Sequence, residues 1–334
     1  MEIHSLPTVT LLIVVRNEKN YIEKSLNSLI NQTYPTELTE IIIVDGMSTD
    51  GTREFLEEKV KELTEKGINI KLLDNPKKIL SSGWNIGIKE SKGDIVCRID
   101  AHSEIDKNYI EIGVKELIKN KDKNVVCVGG VLKNEGVGFL GEIFAELYSS
   151  KFGVGNSAFR TGIQEPTFTD TAVYGCYWKW IFDKIGYFDE TLVRNQDIAL
   201  HTKILENGYK FITHPEMQIK YYVRSTFLAF IKKAFCDGYW ITFSKKSYLR
   251  HKIPLFFVLY LLSIPIFFFK KSGMVFAYLS PLFLYIFLSF YFSIKDGKSH
   301  RKFFLLFLFP LFHISYGLGS LLGILTFWKR KNEN

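Results

Sequence analysis

The last quarter of the chain constrains its fold more than any other feature. Three stretches without Asp, Glu, Lys or Arg follow one another there: 253–269 (17 residues), 274–294 (21 residues) and 303–328 (26 residues). A helix needs about 20 apolar residues to cross the hydrocarbon core of a bilayer. The second and third stretches reach that length and the first is borderline. Pro254 and Pro265 leave the first stretch the alternative of an interfacial or re-entrant segment. Pro310 and the glycines Gly317, Gly319 and Gly323 would break a helix in water but are tolerated in a membrane.

Charge divides along the same line. The formal total is +8, yet residues 1–229 hold 28 basic and 32 acidic side chains, whereas residues 230–334 hold 15 basic and 3 acidic ones. Positive charge confined to one end argues against a general nucleic-acid binder. It falls in clusters: Lys245, Lys246, Arg250 and Lys252 before the first stretch, Lys270 and Lys271 after it, Lys295, Lys298, Arg301 and Lys302 after the second, and Lys329, Arg330 and Lys331 after the third. Three spans put the N-terminal domain and the 295–302 loop together on the cytosolic side, where basic loops belong. The cost is a basic tail on the far side. Two spans with an in-plane first segment would reverse that balance, and three spans are the preferred reading. Residues 226–252 mix Phe227, Phe230, Ile231, Phe235 and Trp240 with Lys232 and Lys233, as expected of amphipathic interfacial helices on an anionic leaflet.

The four cysteines, Cys97, Cys127, Cys176 and Cys236, share no CxxC spacing, so neither a disulfide framework nor a zinc site is expected. The N-terminal MEIHSLPTVT has no basic and apolar leader pattern, and the chain is expected to begin in the cytosol.

Residues 1–225 alternate strand and helix signals. Buried-strand runs at 8–15, 40–45, 69–73, 94–100 and 124–128 are separated by helix-period segments, which predicts an α/β, doubly wound, mostly parallel sheet. In such sheets ligands gather at the carboxyl ends of the strands. Three polar groups fall there: Arg16-Asn17-Glu18, Asp45, and Asp100-Ala101-His102. No GxGxxG or GxxxxGK[ST] follows any of the predicted strands, so dinucleotide-binding and P-loop readings lose their main support, and acidic groups in place of a glycine cradle point to a phosphate ligand bridged by a divalent metal.

Five pieces in order, VVRNE at 14–18, VDGMSTDGT at 44–52, GWNIGI at 83–88, GDIVCRIDAH at 93–102 and GYFDETLVRNQD at 186–197, resemble family 2 glycosyltransferases of the GT-A fold. The resemblance covers roughly residues 7–250 and is nearest to membrane-attached exopolysaccharide enzymes of the succinoglycan type. It implies a GT-A catalytic domain at 1–225, interfacial helices at 226–252 and a transmembrane region at 253–334. By the same resemblance, Arg16, Glu18, Asp45 and Asn85 hold the nucleotide-sugar donor, with Asp45 alternatively a strand-end cap. Asp100 and His102 stand at the family's Asp-x-Asp position and are expected to bind Mn²⁺ or Mg²⁺ and the donor diphosphate. Gly46 and Met47 depart from the common VDDGS. Asp197 is the implied general base, with Gln196 where the family has Glu, and a helix-capping role as its alternative. Asp170, Trp178 and Arg224 are candidates on the acceptor side. The activity implied is inverting transfer from a nucleotide sugar, UDP-linked, to a lipid-linked or glycan acceptor, by a multi-pass protein of the cell membrane with its catalytic domain in the cytosol. A polyprenyl-phosphate sugar synthase and a non-catalytic nucleotide-sugar-binding scaffold are the alternatives.

Overall fold

A computed structural model describes residues 6–192, 194–244, 248–268 and 275–332. Lys245, Lys246, Lys270 and Lys271, whose charges entered the topology argument, lie outside these residues, as do the side chains of Lys329, Arg330 and Lys331. The chain forms two compact units: residues 1–133 with 162–221, and residues 134–161 with 222–334.

The first unit is built on nine strands: β1 (Val9–Val15), β2 (Thr39–Asp45), β3 (Ile70–Asp74), β4 (Ile95–Asp100), β5 (Ser103–Ile105), β6 (Val125–Glu135), β7 (Thr167–Thr169), β8 (Val173–Trp178) and β9 (Lys210–Tyr222). Their order is β3-β2-β1-β4-β8-β6-β9-β5, with β7 against β9. The pairs β1–β2, β1–β4 and β2–β3 are parallel, whereas β8 runs antiparallel to both β4 and β6. The sheet is therefore mixed, parallel from β3 to β4 and antiparallel where β8 joins β4 and β6.

Every residue of β1 is buried. Apolar side chains on both faces of an extended chain can be satisfied only at the centre of a sheet covered by helices. Leu12 and Val14 face the helix Leu80–Glu90, joining Trp84 and Ile88 in one core. That helix lies close because Gly83 and Gly87 carry no Cβ; one added there would overlap Val14 and Leu12 respectively. At the opposite end of β1, Thr10 Oγ1 donates to the buried Glu40 Oε1 at 2.6 Å, and Glu40 Oε1 also accepts from Gly93 N at 3.2 Å. Asp94 anchors the entry to β1 by accepting from Thr8 N and Oγ1.

The second unit is helical. Among the described residues, three of its helices are long and apolar enough to cross a membrane: Leu249–Ile266, Val275–Asp296 and Ser299–Thr326. The helix Phe227–Ile241 buries Phe230, Ala234, Gly238 and Ile241, a face at helical spacing. Gly238 lies against the carbonyl of Tyr316, and Gly319 against that of Phe235, so this helix and Lys302–Asn332 cross with their backbones nearly touching. Gly317 does the same against the carbonyl of Pro254. The segment 134–161 belongs to this unit: Arg301 pairs with Glu142 and, at 2.7 Å, with Glu146, and Phe152 packs on Tyr285, Phe292, Phe309 and His313. Contrary to the sequence expectation, a GxGxxG spacing does follow a strand, because β6 runs on to Glu135 and meets Gly136-x-Gly138-x-x-Gly141; packing takes these glycines up, with Gly136 against the Gly141 backbone and Gly141 against Ser225.

Gly87→Ala is expected to destabilise the first unit by about 1–3 kcal/mol, because Leu12 is fully buried and has no space to yield. Thermal melting in detergent checks this, with an unchanged midpoint as the contrary result.

Candidate active site

The parallel half of the sheet decides which side chains meet. Register pairs Val15 with Asp45 and Val14 with Asp100, so both aspartates flank the end of β1. Beyond that end the chain turns through Asn17 at φ 56°, and the turn is tied to the loop after β2: Asn17 N donates to Ser48 Oγ at 2.9 Å, Thr49 N to Asn17 Oδ1 at 2.8 Å, and Glu18 N to Thr52 Oγ1 at 3.0 Å. Asp50 fixes Thr52 at the start of its helix through both Thr52 N and Oγ1. Gly46 leaves room for the Arg16 side chain, which a Cβ there would crowd at 3.2 Å. Arg16 Nη1 reaches Lys78 O at 3.3 Å.

These elements enclose a cavity of about 220 Å³ lined by Arg16, Glu18, Lys78, Asp100 and His102 among others. His102 Nδ1 faces Glu18 Oε1 at 3.4 Å, and its ring meets Tyr221 edge-on at 5.2 Å. Burial alone would lower the His102 pKa, but the Glu18 hydrogen bond, Tyr221 and Asp100 outweigh it and push it up to about 9. Behind Asp100 lies Tyr174, buried and held at φ 46°, which only a well-determined surround maintains for an aromatic residue. Burial, then the Asp100 charge, raises its phenol well above the usual range.

Asp45, Asn85, Asp197, Asp170, Trp178 and Arg224 are not on that lining. The Asp45 carboxylate accepts from Ser48 N and Oγ and lies 3.7 Å from Arg53. Asn85 is buried and braces another segment: its Oδ1 accepts from Phe188 N, and its Nδ2 donates to Phe188 O and Glu190 Oε1. Asp197 stands in the first turn of the helix Gln196–Glu206, half-buried, accepting from Ile198 N at 2.9 Å. The helix dipole favours its negative charge there. Asp170 is half-buried in the turn between β7 and β8. Trp178 pairs with Ile95, the opposite end of β4 from Asp100, about 16 Å away at ~3.3 Å per residue. Arg224 is exposed just past β9 and belongs to the second unit.

One charged residue lies inside the GDIVCRIDAH piece but has no role assigned to it there. Arg98 on β4 is 8% exposed, its guanidinium 5.1 Å from the Trp84 ring centroid and 5.5 Å from that of Phe188. Burial works against its charge, while Tyr177, Asp197 and Asp100 favour it and raise its pKa. Its charge is thus favoured by both aspartates. Beside it His201 is buried, with Nδ1 2.7 Å from Thr171 Oγ1 and Nε2 2.7 Å from Tyr177 OH. Burial pushes its pKa down to about 3, against the pull of Asp197.

Asp100 and His102 offer one carboxylate and one imidazole on the same cavity wall, and no group of three candidate metal ligands occurs among the described residues. Two protein ligands suit a hard divalent ion that completes its shell with phosphate oxygens and water. The donor set fits such an ion, although His102 must first shed its proton.

Residues 10–172 match the family model described as Glycosyl transferase family 2. A dolichyl N-acetyl-α-D-glucosaminyl phosphate 3-β-D-2,3-diacetamido-2,3-dideoxy-β-D-glucuronosyltransferase of Methanococcus voltae is 31% identical over 233 residues, covering 69% of this chain and 71% of the relative. The succinoglycan biosynthesis protein ExoA of Rhizobium meliloti is 27% identical over 256 residues, with 75% and 74% covered. Among solved structures, a mannosyltransferase of Pyrobaculum calidifontis in complex with GDP-Man and Mn²⁺ matches with a TM-score of 0.59 at 17% identity, covering 96% of this chain and 88% of the other, and so shares the fold.

Because folded His201 refuses a proton that the unfolded chain accepts near pH 6.5, stability falls as pH drops from about 6.5 toward 3. His201→Gln removes this contribution. The melting temperature of wild type should therefore fall more steeply between pH 7 and 4.5 than that of the variant, and equal slopes would refute it.

Proposed function

This chain belongs to glycosyl transferase family 2, and on that footing we propose that it moves a sugar, with inversion, from a nucleotide-sugar donor to a lipid-linked glycan. The observation that carries this reading is the meeting of Glu18, Asp100 and His102 on one cavity at the end of β1 and β4. The Methanococcus voltae relative, named for a dolichyl-phosphate-linked sugar acceptor, supports the acceptor class. Three helices of spanning length support a multi-pass membrane protein, and the basic 295–302 loop supports a catalytic domain on the cytosolic side.

In this reading Arg16 and Asp45 attend the nucleotide, and Asp100 with His102 would hold Mn²⁺ or Mg²⁺ against the diphosphate. Such an ion, when bound, neutralises charge developing on the leaving diphosphate. Asp197 takes the proton of the acceptor hydroxyl while its oxygen bonds to the anomeric carbon and the bond to diphosphate breaks. Arg98 keeps its positive charge with the help of Asp197 and Asp100, and Asn85 fixes the 188–190 turn upstream of Asp197. A UDP-linked donor is the preferred class, and Asp170, Trp178 and Arg224 remain the acceptor-side candidates, although Trp178 lies at the other end of β4 from Asp100.

The protein with Mn²⁺, a nucleotide sugar and a lipid-linked acceptor should release nucleoside diphosphate. Asp197→Asn should lower that release by about 10²–10⁴-fold with donor affinity unchanged. Full activity in the Asn variant would remove Asp197 as the base, and donor binding without turnover under every acceptor would favour a scaffold.

A further inference from the structure

In the helical unit, Tyr148 near the end of the helix Gly138–Ser149 gathers two cations. The Arg160 guanidinium lies 5.6 Å from the Tyr148 ring centroid and 5.4 Å from that of Phe159, and Lys233 Nζ lies 6.0 Å from the Tyr148 ring. Lys233 comes from the helix Phe227–Ile241, so the two charges converge from separate segments. A third, Arg250, packs its side chain against Gly155, which at φ 71° brings the same 149–161 stretch close.

Of the carboxylates nearby, Asp237 pairs with Lys233 itself at 2.8 Å, whereas Glu142 and Glu146, on the helix that carries Tyr148, pair with Arg301 and not with Arg160. Arg160 Nη1 is buried and has no hydrogen-bond partner among the described residues. A buried charged donor left without an acceptor is costly. A guanidinium fork matches phosphate oxygens in geometry and charge. The apolar side of the cluster is equally specific. Tyr148 meets Phe230 at 5.9 Å and Phe312 at 5.7 Å, which ties it to the helix Lys302–Asn332, one of the three of spanning length. A ligand suited to this place has an anionic head and a hydrocarbon tail.

We propose that Arg160, with Lys233 as the second cation on Tyr148, binds the phosphate of the isoprenoid carrier in the lipid-linked acceptor, its hydrocarbon lying in the bilayer beside the helix Lys302–Asn332. The proposal rests on the reading of a lipid-linked acceptor but is tested apart from it. Farnesyl phosphate, farnesol and inorganic phosphate are titrated into the full-length protein in detergent, following tryptophan fluorescence. Farnesyl phosphate should bind wild type, with an affinity lowered about 10-fold or more in Arg160→Ala and partly restored in Arg160→Lys. Farnesol and inorganic phosphate should bind far more weakly. Equal affinity of wild type and Arg160→Ala for farnesyl phosphate overturns the site, as does inorganic phosphate binding as tightly as farnesyl phosphate. Unchanged nucleoside diphosphate binding with Mn²⁺ in both variants shows that they are folded. Arg160-dependent farnesyl phosphate binding without sugar transfer sustains the site while removing the acceptor reading. Transfer with the acceptor KM unchanged in Arg160→Ala removes the site while the enzyme stands.

Discussion

A strand with no side chain facing water has to be surrounded, and β1 is that strand. Parallel neighbours occupy both its edges, helices must cover both its faces, and the polar groups that follow it are forced to one rim. Arg16, Glu18, Asp45, Asp100 and His102 are distant in sequence but close in space because they terminate or follow three adjacent parallel strands. The close approach of the helix Leu80–Glu90, allowed by Gly83 and Gly87, serves the same arrangement, since that helix carries the Asn85 brace.

Electrostatics divides that rim from the segment holding Asp197. Arg98 has its charge in the interior, which desolvation opposes, and the two aromatic faces and two aspartates around it compensate. His201, a few side chains away, meets the same burial with hydrogen bonds to Thr171 and Tyr177 and stays neutral. A single positive charge that both Asp100 and Asp197 favour is thereby kept in the interior, and the neighbouring imidazole adds none.

The parallel half of the fold was legible in the sequence because its strands are continuous apolar runs ending in charged residues, and the family motifs sit at those ends. The antiparallel half was not legible in the same way. Nothing in the 173–178 run announces that it runs opposite to β4, and that reversal carries Trp178 to the far end from Asp100. Asn85 matched a family motif, yet its amide is spent on Phe188 and Glu190, partners about a hundred residues away that no local pattern reveals. Arg98 did have a signal: a charge inside the run IVCRID, where a two-sided buried strand has no place for one unless it is paired. The mixed character of the sheet and the grouping of 134–161 with the C-terminal helices depend on long-range contacts, which periodicity does not encode.

That grouping also orders events during synthesis. The stretch 134–161 leaves the ribosome long before the helices Val275–Asp296 and Lys302–Asn332 that its Phe152, Glu142 and Glu146 contact. Until those helices arrive, its apolar and acidic faces have no lasting partners, and closing so long a loop is slow. Nor can any single cut release the sheet as an independent fragment, because the chain leaves the first unit after residue 133 and returns to it at 162. A truncation placed between residue 161 and the apolar helices would keep this inserted segment and strip it of its cover.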